Sequence, residues 1–537
     1  MAPQTNGSVL YQVQAPSASK GYHYARVNLG THKIETAESF QRNRHQAGLN
    51  EVFGRAWNYR HVKQLPTLAN FPRGYHRSDA KHLHPQNEIP TLHLQAPQKD
   101  IDNLHNHYLQ DIKMKANGTY FTAKNQYEFQ NLGLELSGRS TRYFTKLSYN
   151  INLPKGGKLD GYKKLKLRAC GADPSYMREK LAYDMLSSAG RPGSRASYVR
   201  LIINDRPIGL FLLIERFDDH WMANEFGAGN KKYKYGILYK GDATIKNRKY
   251  KADLSYHGPE LAPYEQTSYT VEEKPKVGAN GLGPLVNLTK FLDDRMKTLG
   301  TNATGNATLT TTLAAWKHQF DIQGYFINLA LEFLGGSFDT YLQNTNNYFL
   351  YKDPVKDQFV FVSWDMDMVM GSGPVNMKKL ITGDYRSFPG IDLRPLTLAS
   401  VMKDAALRPA FEKTLLTIVH DLFSPNVTFP VIDSLAQFIQ DDAAWDLQLP
   451  HVRAGQSFIP IGPNNIDNWF GNNATNAPIT HPITTDYLVA ASFIVRVNRK
   501  VPLKNAIQGP LKHPASLYPL KTWIATKTKN VLAKLSA

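Results

Sequence analysis

Hydrophobic and polar positions follow no sustained period up to residue 86 and become regular from Ile89. The first 86 residues are rich in His, Arg, Asn and Gln. They predict an irregular extension with local helix around 36–56. Residues 89–94 (IPTLHL) alternate as a strand. Strands are also expected over 127–138 and 143–153, joined by the polar run Arg139-Ser140-Thr141-Arg142, and over 163–169 (KKLKLRA). Asp173-Pro174-Ser175 opens a helix over 175–188, with Met177, Leu181, Met185 and Leu186 on one face and Gly190 and Pro192 as stops. Strands 197–204 and 208–217 follow around Asp205-Arg206-Pro207, and residues 218–310 are polar and irregular. A long apolar helix is then expected over 313–336, ending at two glycines.

That helix leads into the stretch with the most chemistry. Residues 347–352 (NYFLYK) and 358–364 (QFVFVSW) read as a β-hairpin turning at Asp353-Pro354. Asp339 enters it, with Asn344, Asn346 and Asn347 after it, and Asp365 and Asp367 stand where its second strand ends. Folding the hairpin brings its open ends together, so these groups can share one site. An Asp, an Asn, a hairpin and an Asp is the order in which protein kinases place their base and metal ligands. The histidine-arginine pair before the first Asp and the Phe-Gly after the last are absent. Asp and Asn beside strands are also ordinary turn residues.

The segments before the hairpin follow the layout of a kinase small lobe: strands, one helix, a strand hairpin and a charged exit. In that layout Lys146 is the candidate for the phosphate lysine, Glu179 for its partner, and Glu215 to Phe217 for the segment lining the adenine pocket. After Asp367, helices are expected over 393–423, 431–445 and 484–499, with a Gly/Asn/Pro/Thr loop at 455–482. None carries an obvious reacting group.

Composition narrows the setting. The 537 residues are 42% hydrophobic and 20% charged, which is globular rather than disordered. The start lacks the pattern of a signal peptide, and no apolar run approaches the roughly 20 residues that span a bilayer. A single cysteine, Cys170, excludes an internal disulfide or a cysteine metal cluster. Seven Asn-x-Ser/Thr sequons, at Asn6, Asn117, Asn287, Asn302, Asn306, Asn426 and Asn473, are consistent with a secreted glycoprotein. The net charge of +19 favours anionic partners, but the basic residues are spread along the chain without a nucleic-acid-binding signature.

From about Ile89 the chain resembles the CotH kinase family, named for a spore coat protein kinase. IPTLHL is similar to the family's opening strand, and residues 138–151 (GRSTRYFTKLSYNI) to its Arg-Gly-x-Ser-x-Arg…Lys-Ser-Phe-Lys-Ile segment. Residues 167–216 resemble its most distinctive block, and 338–371 its catalytic block, which commonly ends in Trp-Asp-x-Asp. The resemblance implies an α+β, atypical protein-kinase-like two-lobed fold. An antiparallel sheet plus helix would form a small lobe at about 87–217, and a mainly helical large lobe would follow at about 218–537, behind the extension 1–86.

It further implies an ATP-dependent and Mg²⁺- or Mn²⁺-dependent protein serine/threonine kinase. Asp339 matches the catalytic Asp, Asn347 (or Asn344) the metal-binding Asn, Asp365 and Asp367 the metal pair, and Lys146 the phosphate lysine. Departures at Gly138-Arg139-Ser140 and Asn150 fall among the nucleotide contacts. The expected partner is a protein with a Ser or Thr acceptor. The alternative is an adhesin- or invasin-like surface protein that keeps the fold and binds a host or cell-surface protein. Secretion or a cell-surface location is favoured, with no specific nucleic acid and no transmembrane segment expected.

Overall fold

A computed structural model describes the chain except residues 5–7, 17, 44–47, 244–247, 301–307, 454–485, 512–513 and 536–537. Within the N-terminal extension lie four strands of two to four residues, β1 (Ala2–Pro3), β2 (Tyr11–Gln12), β3 (Ala25–Val27) and β4 (Ile34–Ala37). The helix expected around 36–56 does not form in the described residues. Tyr22 and Tyr24 donate to Glu51, and Arg42 forks onto Glu38, so side chains rather than a helical ladder order this segment. Further on, Val62, Leu68, Ala80 and Leu83 join the main core.

The central element is a closed seven-stranded barrel. Its strands are β5 (Thr91–Gln95), β6 (Lys113–Phe121), β7 (Gln126–Leu136), β8 (Tyr149–Asn152), β9 (Lys164–Arg168), β10 (Ala196–Ile203) and β11 (Arg206–Glu215). Neighbours pair antiparallel, apart from β10 and β5, which close the barrel in parallel with Arg200 opposite Thr91. Helix α1 (Gln98–Asn106) follows β5, and α2 (Arg178–Ser188) lies between β9 and β10.

The two-lobed, kinase-like architecture expected from the resemblance is not what the chain forms. The sheet curls onto itself, because IPTLHL pairs beside β10 and closes it into a barrel. The region expected to be mainly helical contains a four-stranded antiparallel sheet of β13 (Tyr269–Glu273), β12 (Leu238–Gly241), β14 (Tyr348–Asp353) and β15 (Gln358–Ser363). One continuous buried cluster joins barrel, sheet and helices from Val62 to Val531.

Helix α3 (Asp219–Phe226) follows the barrel, and α4 (Ala262–Glu265) and α5 (Gly283–Gly300) follow β12. The long helix expected over 313–336 is two: α6 (Leu309–Trp316) and α7 (Ile322–Gly335). Asp321 starts the second by accepting from the Gly324 N–H, and Gly336, at φ 55°, ends it. Farther on, the helical run Arg408–Gln448 is long and apolar enough to cross a membrane by length and composition. Its Phe411, Leu415, Ile418, Leu422 and Ile432 are fully buried in the protein. The expected loop at 455–482 and the sequons Asn6, Asn302, Asn306 and Asn473 lie outside the described residues.

Candidate active site

Helix α7 hands the chain to a short connection and then to α8 (Tyr341–Asn344), which precedes β14. This connection holds Asp339 at the centre of a ring of amides. Asn344 and Asn346 each donate to Asp339 Oδ1 at 2.9 Å, and Asn347 donates to Oδ2 at 3.0 Å and to the Asp339 carbonyl at 2.7 Å. A carboxylate offers about four acceptor positions. Three are filled, and one on Oδ2 is left for an incoming proton donor. Burial raises the Asp339 carboxyl to about 6; the amides of Asn344 and Asn346 pull it down, and the charges of Asp365 and Asp242 push it up.

The backbone beneath Asp339 is clamped from two sides. Glu332, buried on α7, accepts from the Thr340 hydroxyl and from the Leu342 N–H at 2.8 Å. Arg394 donates to the carbonyls of Tyr341, Leu342 and Gln343 at 2.9–3.1 Å. Burial raises Glu332 to about 7, against its hydrogen bonds and the charge of Arg394.

The hairpin β14–β15 brings the second set of acids alongside. Its open end is tied by the Trp364 N–H donating to the Asn347 carbonyl at 2.9 Å. Thr345, Asn347 and Asp365 all have φ between 52° and 54°, left-handed conformations that non-glycine residues seldom take and that cluster at functional sites. The Asp365 N–H donates to the Tyr183 hydroxyl at 3.0 Å, linking this end to α2.

Strand β9 supplies the counter-charges. In KKLKLR the period of two puts Lys166 and Arg168 on one face and Leu165 and Leu167 on the other. Lys166 Nζ lies 2.9 Å from Asp365 Oδ2. Arg168 forks onto Glu179 at 2.8 and 3.1 Å, contacts Asp365, and reaches Asp367 at 3.3 Å. Although burial opposes ionisation of Asp365, Arg168 and Lys166 hold its carboxyl far below the usual range. Asp367, whose contact among the described residues is the longer one to Arg168, is raised by burial.

The structure thus brings together Asp339, Asn344, Asn347, Asp365, Asp367 and Glu179 from the sequence-derived set. Phe217 lies next to them, buried against Trp221 and Trp364 at centroid distances of 3.9 and 4.6 Å. Lys146 and Glu215 are engaged differently from expectation. Lys146 Nζ sits 2.8 Å from Asp446 Oδ1 and donates to the Leu210 carbonyl, while Glu179 is held by Arg168. Glu215 pairs with His84 at 3.2 Å, and its backbone N–H and carbonyl both meet Ser194 Oγ. Lys166 and Arg168 went unnoticed in the sequence. Their signal was two cations on the same face of a strand whose other face is leucine.

Among the described residues, the acidic and histidine side chains whose ligand atoms converge closely enough for a metal ion are Asp218, Asp219 and His220, outside this site. The acids beside Asp339 are oxygen donors of the kind a divalent cation takes, with Lys166 and Arg168 seated on Asp365, Asp367 and Glu179. The Asn344 side-chain oxygen is also buried without a partner among the described residues. Carboxylate oxygens are the donors that Mg²⁺ or Mn²⁺ takes, although burial raises the carboxyls of Asp339, Asp367 and Glu179 here.

Comparison with known proteins places the chain in a family. The CotH kinase protein family model matches residues 134–453, more than half of the chain, and the chain belongs to that family. It is similar to Invasin CotH3 of Rhizopus delemar, 26% identical over 479 residues, covering 86% of this chain and 73% of that one. It is similar to Invasin CotH2 of the same organism, 25% identical over 458 residues, covering 82% and 72%. Similarity extends to Inner spore coat protein H of Bacillus subtilis, 22% identical over 355 residues, covering 66% and 88%.

Proposed function

We propose that the chain is a protein serine/threonine kinase that transfers the γ-phosphoryl group of ATP. The observation that carries this reading is the juxtaposition of an amide-ringed Asp339 with Asp365, Asp367, Lys166 and Arg168. Phosphoryl transfer asks the protein for positioning and charge neutralisation more than for covalent chemistry. Asp339 has one acceptor position left, which suits it to orient a substrate hydroxyl and take its proton. Asp365 and Asp367 would hold Mg²⁺ or Mn²⁺, with the side-chain oxygens of Asn344 and Asn347 as further donors. When bound, the cation supplies charge neutralisation at the phosphates. Lys166 and Arg168 fit the remaining phosphate charge, the role the sequence pointed to in Lys146. The amide nitrogen of Asn347 is committed to Asp339, so only its oxygen is available to a cation.

A second reading is a surface binding protein. It is favoured by the similarity to two proteins named invasins over more than four-fifths of the chain. The names of the relatives, invasins and a spore coat protein, favour a cell-surface or spore-coat location. The test is transfer of labelled phosphate from ATP with Mg²⁺ or Mn²⁺ to the chain itself and to a serine-containing peptide, comparing wild type with Asp339→Ala and Asp365→Ala. Label lost in both variants supports the kinase. Label retained in both overturns this site. Folded protein that neither transfers label nor binds nucleotide leaves the binding protein.

A further inference from the structure

A groove of about 1120 Å³ runs along the barrel, bounded by α1, the end of β5, β6, β7 and the end of β8. It shares no residue with the Asp339 site. Its polar lining is dominated by amides: Gln95, Asn103, Asn117, Asn131, Asn152 and Asn204. We propose that this groove binds a neutral oligosaccharide.

The chemistry of the lining selects the ligand. A side-chain amide presents donors and an acceptor in one plane, matching adjacent sugar hydroxyls, which both donate and accept. Asp100 and Glu135 together with Lys113 and Lys115 leave the lining without net charge, so nothing in it selects an anionic or cationic ligand. The volume exceeds the roughly 300–1,000 Å³ typical of pockets for single small ligands, which favours a chain of sugars over one.

Two of the amides are held in place. Asn117 Oδ1 accepts from the Asn131 N–H at 3.1 Å, and Asn204 Oδ1 accepts from the Ala96 N–H at 3.0 Å. The β6–β7 register shifts between Ala116 and Gly118, and Asn131 has φ 57°. Such irregularities re-aim side chains beside binding sites. An extended peptide is the competing occupant, because β6 pairs with β5 only over 117–121 and leaves 113–116 unpaired on that side. Exposed Lys113 and Lys115 guard that edge in the way that discourages strand addition.

The inference is independent of phosphoryl transfer. The full chain, produced in a bacterial host so that its asparagines carry no sugar, is titrated calorimetrically. The ligands are hexasaccharides of glucose, mannose and N-acetylglucosamine, with a sulfated hexasaccharide and a valine/threonine-rich peptide for comparison. One neutral hexasaccharide is expected to bind saturably. The dissociation constant should rise tenfold or more in Asn103→Ala and Asn152→Ala, with unchanged unfolding midpoints, while Asp365→Ala binds like wild type. Absence of binding by all three neutral hexasaccharides, preference for the sulfated sugar or the peptide, or unaltered affinity in both asparagine variants overturns the proposal.

Discussion

Arg168 forks onto Glu179, its Nε and Nη2 donating to the two carboxylate oxygens at 2.8 and 3.1 Å. The same guanidinium contacts Asp365 and Asp367, so one side chain of β9 joins α2 to the end of the β14–β15 hairpin. A planar fork with five donors can serve several carboxylates, which an ammonium cannot do with the same geometry.

Arg168→Met should therefore lower both stability and rate. It leaves Glu179, 2% exposed, as a buried charge without its partner. Breaking a buried pair in this way costs about 3–5 kcal/mol, measurable in urea unfolding. Arg168→Lys should recover part of the stability, while transfer from ATP stays at least tenfold below wild type. Equal rates for Arg and Lys at this position would show that the fork is not needed.

The two lysines offered by the sequence and the structure are separable. Lys146 is committed to Asp446, with a side chain 5% exposed, so Lys146→Ala should cost stability, about 3–5 kcal/mol, through the stranded carboxylate. Lys166→Ala should lower the rate of phosphate transfer by 10- to 100-fold, since it removes a charge aimed at the acid cluster. Rates corrected for folded fraction decide between them. If Lys146→Ala loses the rate and Lys166→Ala keeps it, the phosphate role belongs to Lys146.

The sequence showed the local part of this site and missed the part made by closure. Asp339, Asn347 and Asp365 were readable because a hairpin fixes their relation within about thirty residues. Strand KKLKLRA was recognised too, but its partners β8 and β11 pair from 12 to 50 positions away, and nothing local says which charges they set across from Asp365. Strand β6 was missed although its first half, KMKAN, alternates exposed and inward positions, because Lys, Ala, Asn and Gly are depleted in strands. The parallel contact of β5 with β10 spans more than one hundred residues and turns a sheet into a barrel, which undid the two-lobed expectation. Glu332 and Arg394 were invisible for a different reason: Arg394 acts on backbone carbonyls and Glu332 on a backbone N–H and one hydroxyl, contacts that leave little sequence signal.

Glu332 should make stability fall as pH rises. Its carboxyl is raised by burial from 4.5 to about 7, so between these values the folded chain binds a proton that the unfolded chain has released. Stability then declines with rising pH by about 3 kcal/mol from this group. Both hydrogen bonds that hold the loop use Glu332 Oε1, which a glutamine retains. Urea unfolding at pH 5 and pH 8 should show a smaller decline in Glu332→Gln than in wild type. An identical decline would place the titration elsewhere.

Asp339 should set the low-pH limb of catalysis. With its carboxyl at about 6, it is protonated below that value and cannot take a proton from the substrate hydroxyl. The value of kcat/KM should rise about tenfold per pH unit up to 6 and level off above, because the unprotonated form is the working one. Asp365 adds no step in this window, since Arg168 and Lys166 keep it ionised far below the usual carboxylate range. Asp339→Asn keeps the size of the side chain and removes the base, and should cost about 10²–10⁴ in rate while abolishing the inflection. An inflection near 6 that survives in the residual activity of Asp339→Asn would assign the titration to another group and leave Asp339 a positioning role.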